Sequence, residues 1–377
     1  PRKIVGGSIE AYPYGCTPDG HLVFVSNRGG SYRRWSVPMK DGNESGPPVE
    51  IKGVDVNSVA SGIDDDGRLY YTSRDSLGEY LGDLDVVSAQ VKNVRPMDPN
   101  SELTGEGQFP RLEFSPSGRV LAMRVEANTR NMRVRGVVPG RVLGIRAPEG
   151  AEFRFNATNW TSDDRMVTIL KFPDESKLAW VDAVTGKFDI GVRLADKTHE
   201  YRDPIMAKDG QEVFATKMVE AGSVLVRIKV ETGEEEPICV GEGPKGLSPD
   251  QTQAACGSSE GIRIEQMPGG RGQELVKLKN GDGTFGRGGG TYDQILWTPD
   301  GKYIIYWLTN RVSGNVPPAS SREPWIMPVS GGGQPRKLSI SSVVAETLSI
   351  HPNGSLVAIR GSRGPRELWV AENLKFD

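Results

Sequence analysis

Short runs of strand-like residues, separated by tight polar turns, recur along the whole chain. Residues 223–230 (SVLVRIKV) and 261–268 (GIRIEQMP) alternate with a period of two, which turns one face of a strand to a core and the other to solvent. Other runs are apolar almost throughout: Tyr303, Ile304, Ile305, Tyr306 and Trp307 follow Pro299-Asp300-Gly301, whose glycine supplies the positive φ that a hairpin turn needs. The same turn signal appears as TPDG (17–20), DDDG (64–67), SPSG (115–118), TSDD (161–164), AKDG (207–210), SPDQ (248–251), TPDG (298–301) and HPNG (351–354). Its last residues lie 47, 51, 46, 46, 41, 50 and 53 positions apart, so each period is one supersecondary unit of a repeat architecture.

Within a period the turn joins a first strand to a second, a polar loop leads to a third, and a second glycine-containing turn leads to a polar fourth. Trp35, Trp180, Trp325 and Trp369 fall at the same place in the third strand, where the repeat expects packing residues between units. A four-stranded meander is a propeller blade. The pattern predicts an all-β fold, a single propeller over 1–377 with eight blades at 8–53, 54–97, 105–145, 151–194, 200–240, 243–280, 290–340 and 345–377. Seven blades are the alternative if one irregular turn is degenerate, since Asp164 and Gln251 stand where glycine is expected and 64–66 are all acidic. The opening residues Pro1-Arg2-Lys3-Ile4 repeat the outer-strand pattern Pro335-Arg336-Lys337-Leu338, so residues 1–6 are expected to complete the last blade and close the ring.

With 46 basic and 49 acidic residues the chain has no global polyanion-binding signature, and nucleic acid is not an expected partner. No apolar run approaches a membrane span, and residues 1–10 lack the apolar core of a signal peptide, so membrane insertion is not expected. Cys16, Cys239 and Cys256 read as three buried or partly buried thiols, with a Cys239–Cys256 disulfide as the other reading. Three histidines, His21, His199 and His351, are too few for a multi-histidine metal centre; neither metal nor cofactor is expected.

The (S/T)PDG turn followed by a strand, together with ELWVAENL near the end, resembles the TolB-type, WD-repeat-like propellers of bacterial proteins. The resemblance spans essentially all 377 residues and specifies blades, not chemistry. It implies a periplasmic or secreted setting, and a monomer or one module of a larger chain.

Two strings imitate catalytic motifs. Residues 241–246 (GEGPKG) fit G-x-G-x-x-G, but Pro244 lies inside and no helix follows, so the string reads as a loop between blades. Residues 257–261 (GSSEG) fit the nucleophile elbow, but an alternating strand follows instead of a helix, so they read as a hairpin loop.

The connections that ring one mouth of a propeller channel carry the candidate site. His199, Glu200, Tyr201, Arg202 and Asp203 place an acid, a base and an aromatic ring within five residues, and equivalent segments hold Glu106 and Arg111, Tyr292 and Asp293, and Glu346. These residues are the expected binding set for a protein, peptide or glycan. Glu200, His199 and Asp203 are the acid–base candidates if the chain is instead a carbohydrate-active hydrolase or lyase. The bland alternative is a set of ion pairs that lock blades together. A third reading is the substrate-gating propeller of a peptidase. Residues 281–290 and 309–324 are the longest loops and a second place for binding.

Overall fold

The computed structural model describes residues 11–26, 33–52, 59–73, 78–97, 112–124, 131–136, 142–194, 199–220, 222–241, 245–258, 260–267, 272–277, 295–309, 322–331, 333–362 and 367–372. Every regular element among them is a β-strand. The strands fall into two compact units.

The first unit comprises 1–78, 102–106 and 362–377. Strands Ala11–Cys16, His21–Ser26 and Arg33–Lys40 pair in order, and Val49–Glu50 joins the third. A second sheet runs Glu367–Ala371, Leu69–Ser73, Val59–Ile63. Val23, Ile51, Leu69 and Tyr71 form the unit's core.

The described residues of the second unit, 79–101 and 107–361, form six sheets. Sheet A is Leu112–Phe114, Val120–Arg124, Asn131–Gly136 and Val142–Arg146; sheet B is Glu152–Ser162, Arg165–Lys171, Ser176–Asp182 and Phe188–Arg193. Sheet C is Tyr201–Met206, Glu212–Val219, Gly222–Lys229 and Glu235–Gly241; sheet D is Lys245–Leu247, Gln253–Ser258, Gly261–Gln266 and Gln273–Lys277. Sheet E is Ile295–Trp297, Tyr303–Thr309, Arg322–Pro328 and Arg336–Lys337. Sheet F is assembled from both halves of the sequence: Val344–Ile350 and Leu356–Ser362, then Gly78–Asp85 and Gln90–Pro96, with Ser339–Ile340 on its outer edge.

Each seam between consecutive sheets is filled with apolar side chains. Met132 and Ile145 meet Met166 and Leu170 between A and B, and Val167 and Ile169 meet Tyr201 and Val213 between B and C. Phe214 and Leu225 meet Ala254 between C and D, Ile262 and Ile264 meet Ile304 and Tyr306 between D and E, and Trp307 meets Leu348 and Val357 between E and F. Ala358 then packs with Leu112, Phe114 and Leu121, which returns sheet F to sheet A. The second strands are buried on both faces and therefore read as apolar runs, whereas outer strands such as Phe188–Arg193 are largely wet and read as polar.

This arrangement differs from the expected series of sequence-contiguous blades at one place. Stretches 54–97 and 345–377 exchange their third strands: Leu69–Ser73 pairs with Glu367–Ala371, and Leu356–Ser362 with Gly78–Asp85. Alternation fixes which face of a strand is buried but does not distinguish two third strands with the same pattern, here GEYLGDLD and ELWVA. Closure of sheet F thus uses residues 78–96; residues 1–6 lie outside the described residues.

The turns also form a chain. A Cβ on Gly301 would stand 4.0 Å from Pro249 Cδ and one on Gly354 3.9 Å from Pro299 Cδ, so each glycine faces the proline of the preceding turn. Asp163 accepts bonds from Ser117 N (3.0 Å) and Arg119 Nη2 (2.9 Å), and the Ser117 side chain, then Arg119 and that amide, hold its carboxyl well below the usual carboxylate range. Ser162 pairs with Arg165 across a two-residue turn, and Asp164 does not adopt a positive φ. Gln251 does adopt φ 63°, and its amide bridges to the preceding turn, accepting from Lys208 N (2.9 Å) and donating to Met206 O (2.8 Å).

Two expectations from side-chain chemistry change. Cys239 and Cys256 form a disulfide across the C–D seam, and Cys16 is a free, exposed thiol rather than a buried one. Trp180 and Trp325 pack half-buried on the B–C and D–E seams; Trp35 is half-buried in the first unit, and the side chain of Trp369 is outside the described set.

Candidate functional site

The strand Tyr201–Met206 is the inner strand of sheet C, and it starts at the end where second strands turn into third strands. Met218 N donates to Glu200 O (2.8 Å), which fixes the chain's entry into the sheet. Strand alternation then sends Tyr201 to the core and its two neighbours to the other face. Tyr201 is 1% exposed, so it is a seam residue and not the open aromatic platform expected of it. Its hydroxyl donates to Glu235 Oε1, and Lys217 Nζ lies 2.9 Å from Glu235 Oε2 and 5.7 Å from the Tyr201 ring centroid.

Glu200 and Arg202 face each other one pleat apart. Arg202 Nε is 3.1 Å from Glu200 Oε1 and Nη2 is 3.4 Å from Oε2, a forked ion pair on one strand rather than a bridge to an adjoining sheet. Asp203 sits at φ 52° where the register slips between Arg202 and Ile205, and that bulge ends the alternation. His199 is half-buried just ahead of the pair.

Glu346 lies on Val344–Ile350, the inner strand of sheet F, and is 4% exposed. The two neighbouring strands carry Arg360 (7% exposed) and Glu79 (8%), so three consecutive strands of one sheet bury opposite charges near the same end. Sequence reasoning missed Arg360 and Glu79. Its available signal was the arginine that interrupts the apolar run Val357-Ala358-Ile359, because a charge in a doubly buried strand is costly to desolvate.

Lys245 is the other residue missed. It opens the inner strand of sheet D, and its Nζ donates to Ser223 Oγ (3.1 Å) and Gly257 O (3.4 Å) at the C–D junction. Burial pulls its pKa down to about 8. Beside it Ser258 pairs with Gly261, the two ends of a hairpin connection within the G-x-S-x-G string. Glu106, Arg111, Tyr292 and Asp293, with 281–290 and 310–321 of the long loops, lie outside the described residues. Among the described residues no three His, Cys, Asp or Glu side chains converge as a metal site.

No family model and no curated protein matches the chain. Among solved structures, a TolB protein of Agrobacterium tumefaciens superposes with a TM-score of 0.54 at 12% identity, covering 77% of this chain and 100% of that one. TolB of Acinetobacter baumannii gives 0.46 at 11% identity over 95% of this chain and 81% of its own. An oligogalacturonate lyase of Vibrio parahaemolyticus gives 0.42 at 11% identity over 95% and 92%. At 12% identity the superposition on the Agrobacterium protein carries the fold and no chemistry; with the strand pairing above, it gives this chain the fold of a TolB-type β-propeller.

Proposed function

We propose that the chain is a non-catalytic binding module that holds a protein, peptide or glycan at the end of its second unit where second and third strands join. The observation that carries this reading is the placement of charge: Glu200 and Arg202 on sheet C, Lys245 on sheet D and Glu346 on sheet F all sit on inner strands near that end. Binding is favoured over acid–base catalysis because the two oxygens of Glu200 are taken by one guanidinium. The Cys239–Cys256 disulfide supports a periplasmic or secreted setting, since such bonds persist in oxidising compartments.

The test is calorimetry of the purified chain against peptide and oligosaccharide panels, repeated with Glu200→Gln, Arg202→Gln and His199→Ala. Loss of a charged hydrogen bond should weaken binding about tenfold or more while the melting temperature holds. Unchanged binding in all three variants removes the site from this strand. Turnover of a glycan that Glu200→Gln abolishes would replace the module reading with a carbohydrate-active enzyme.

A further inference from the structure

Four lysines of the second unit, Lys177, Lys217, Lys229 and Lys337, reach a glutamate at 2.6–2.9 Å, and a carboxylate that close keeps an amine protonated. Lys245 is set differently. Its Nζ donates to a hydroxyl, Ser223 Oγ (3.1 Å), and to a backbone carbonyl, Gly257 O (3.4 Å), both of them neutral. Burial disfavours the ammonium and brings its pKa down to about 8, so a usable fraction of free amine is present near neutral pH.

The surroundings hold that amine in place. Lys245 pairs with Cys256 in sheet D and Ser223 with Gly241 in sheet C, and the Cys239–Cys256 bond fastens the two partner strands to each other across the seam. Next to Lys245, Gly246 stands so close to sheet E that a Cβ would lie 2.3 Å from Ile295 O, and its own carbonyl accepts from Trp297 Nε1 (3.1 Å). A nucleophile positioned in this way needs little further ordering when it reacts. Of the two side chains, the amine is the one placed to react. Ser223 is 2% exposed, too enclosed to meet a substrate atom, whereas Lys245 is half-buried and opens its strand at the ligand end.

Resting on the placement of a ligand at that end, we propose that Lys245 captures an aldehyde as a reversible imine. The Nζ lone pair adds to the carbonyl carbon. Ser223 Oγ, already hydrogen-bonded to Nζ, takes one amine proton while giving its own to the carbonyl oxygen. The carbinolamine then loses its hydroxyl and the second amine proton as water, which leaves the C=N bond with no oxidation or reduction. A neutral imine dispenses with the ammonium that burial disfavours, whereas a carboxylate ligand would call for it.

The experiment treats the full chain near neutral pH with glyceraldehyde or maltotriose and cyanoborohydride, which reduces an imine to a stable secondary amine, and maps the adducts by peptide mass spectrometry. Lys245 should carry about tenfold or more adduct than Lys208 and Lys302, which are exposed. Adduct from glyceraldehyde alone assigns the ligand to small aldehydes; adduct from maltotriose as well extends it to the open-chain reducing end of a glycan. Ser223→Ala should lower the labelling of Lys245 severalfold and leave that of the two exposed lysines unchanged, a ratio read within one molecule. A wild type in which Lys245 is labelled no more than Lys208 and Lys302 overturns the proposal. So does acetate that blocks the labelling at equal concentration, which would make the ammonium an ionic anchor for a carboxylate. Absent labelling beside retained calorimetric binding overturns the imine alone, while labelling in a chain that binds nothing in the panels overturns the binding-module reading and not the reactivity of the amine.

Discussion

The imidazole of His351 occupies the space that a side chain on Gly118 would need: a Cβ there would lie 1.8 Å from Nε2. Gly118 holds φ 74° in the first turn of sheet A, and His351 opens the corresponding turn of sheet F. The ring also stands edge-on to Phe114 with centroids 5.0 Å apart, and its Nδ1 accepts from Asn353 N (3.1 Å). One residue pair thus fastens the seam at which the six-sheet ring closes. Gly118→Ala should cost about 2–4 kcal/mol, the sum of a positive-φ penalty and overpacking. Adding His351→Ala removes the overpacking, so the double variant should be less unstable than the sum of the singles. Urea denaturation of the cycle measures this, and strict additivity would show that the contact does not constrain the turn.

The Cys239–Cys256 bond ties the outer strand of sheet C to the second strand of sheet D and closes a loop of 17 residues. A loop of that length restricts the unfolded chain by about 3 kcal/mol. C239A/C256A should lower stability by that order, and a reductant should shift the urea midpoint of wild type but not of the variant. A wild type indifferent to reductant would mean that the two thiols are not joined in solution.

Much of the fold is legible in the sequence because its two signals are local. Alternation marks the half-buried third strands, and the proline–aspartate–glycine turns mark the hairpins. The exchange between 54–97 and 345–377 was not legible, because pairing partners are chosen by long-range packing and the two third strands carry equivalent patterns. Asp164 and Gln251 stand where glycine is expected, yet Gln251 itself and Asp163, the neighbour of Asp164, each form a side-chain bridge to the preceding turn. In the site, the grouping of 199–203 was visible from its composition. The burial of Tyr201 was not, since one tyrosine at a strand's first position fits either a wet or a dry face. Lys245 was hidden because its buried setting depends on Ser223 and Gly257, which lie 22 and 12 positions away.

Tyr201, Lys217 and Glu235 share one carboxylate within sheet C. Tyr201→Phe removes one of two donors and should cost about 1–2 kcal/mol. Lys217→Met leaves the glutamate without its cation at a poorly exposed position and should cost more, on the order of 3 kcal/mol. Glu235→Gln in the Lys217→Met background should recover part of the loss. If Lys217→Met proves no worse than Tyr201→Phe, the carboxylate is better solvated than its surroundings indicate.

Lys245 gives the pH dependence a definite sign. Its pKa in the folded chain, about 8, lies below the ordinary 10.5 because burial disfavours the ammonium. Between those two values the unfolded chain binds more protons than the folded one, so this group makes stability rise with pH across that window. Below pH 8 the cost of burying the charge is present in full, roughly 3 kcal/mol at about 1.4 kcal/mol per unit. Other lysines and the tyrosines titrate in the same range, so the informative quantity is the difference between wild type and Lys245→Met. That difference should favour the variant at pH 7 and shrink as pH approaches 10, read from urea midpoints at pH 7, 8.5 and 10. The Lys245 ε-carbon resonance of lysine-labelled protein should titrate near pH 8, well apart from the remaining lysines. Parallel stability curves for the two proteins, or a Lys245 resonance that moves with the others, would show that the ammonium keeps its water.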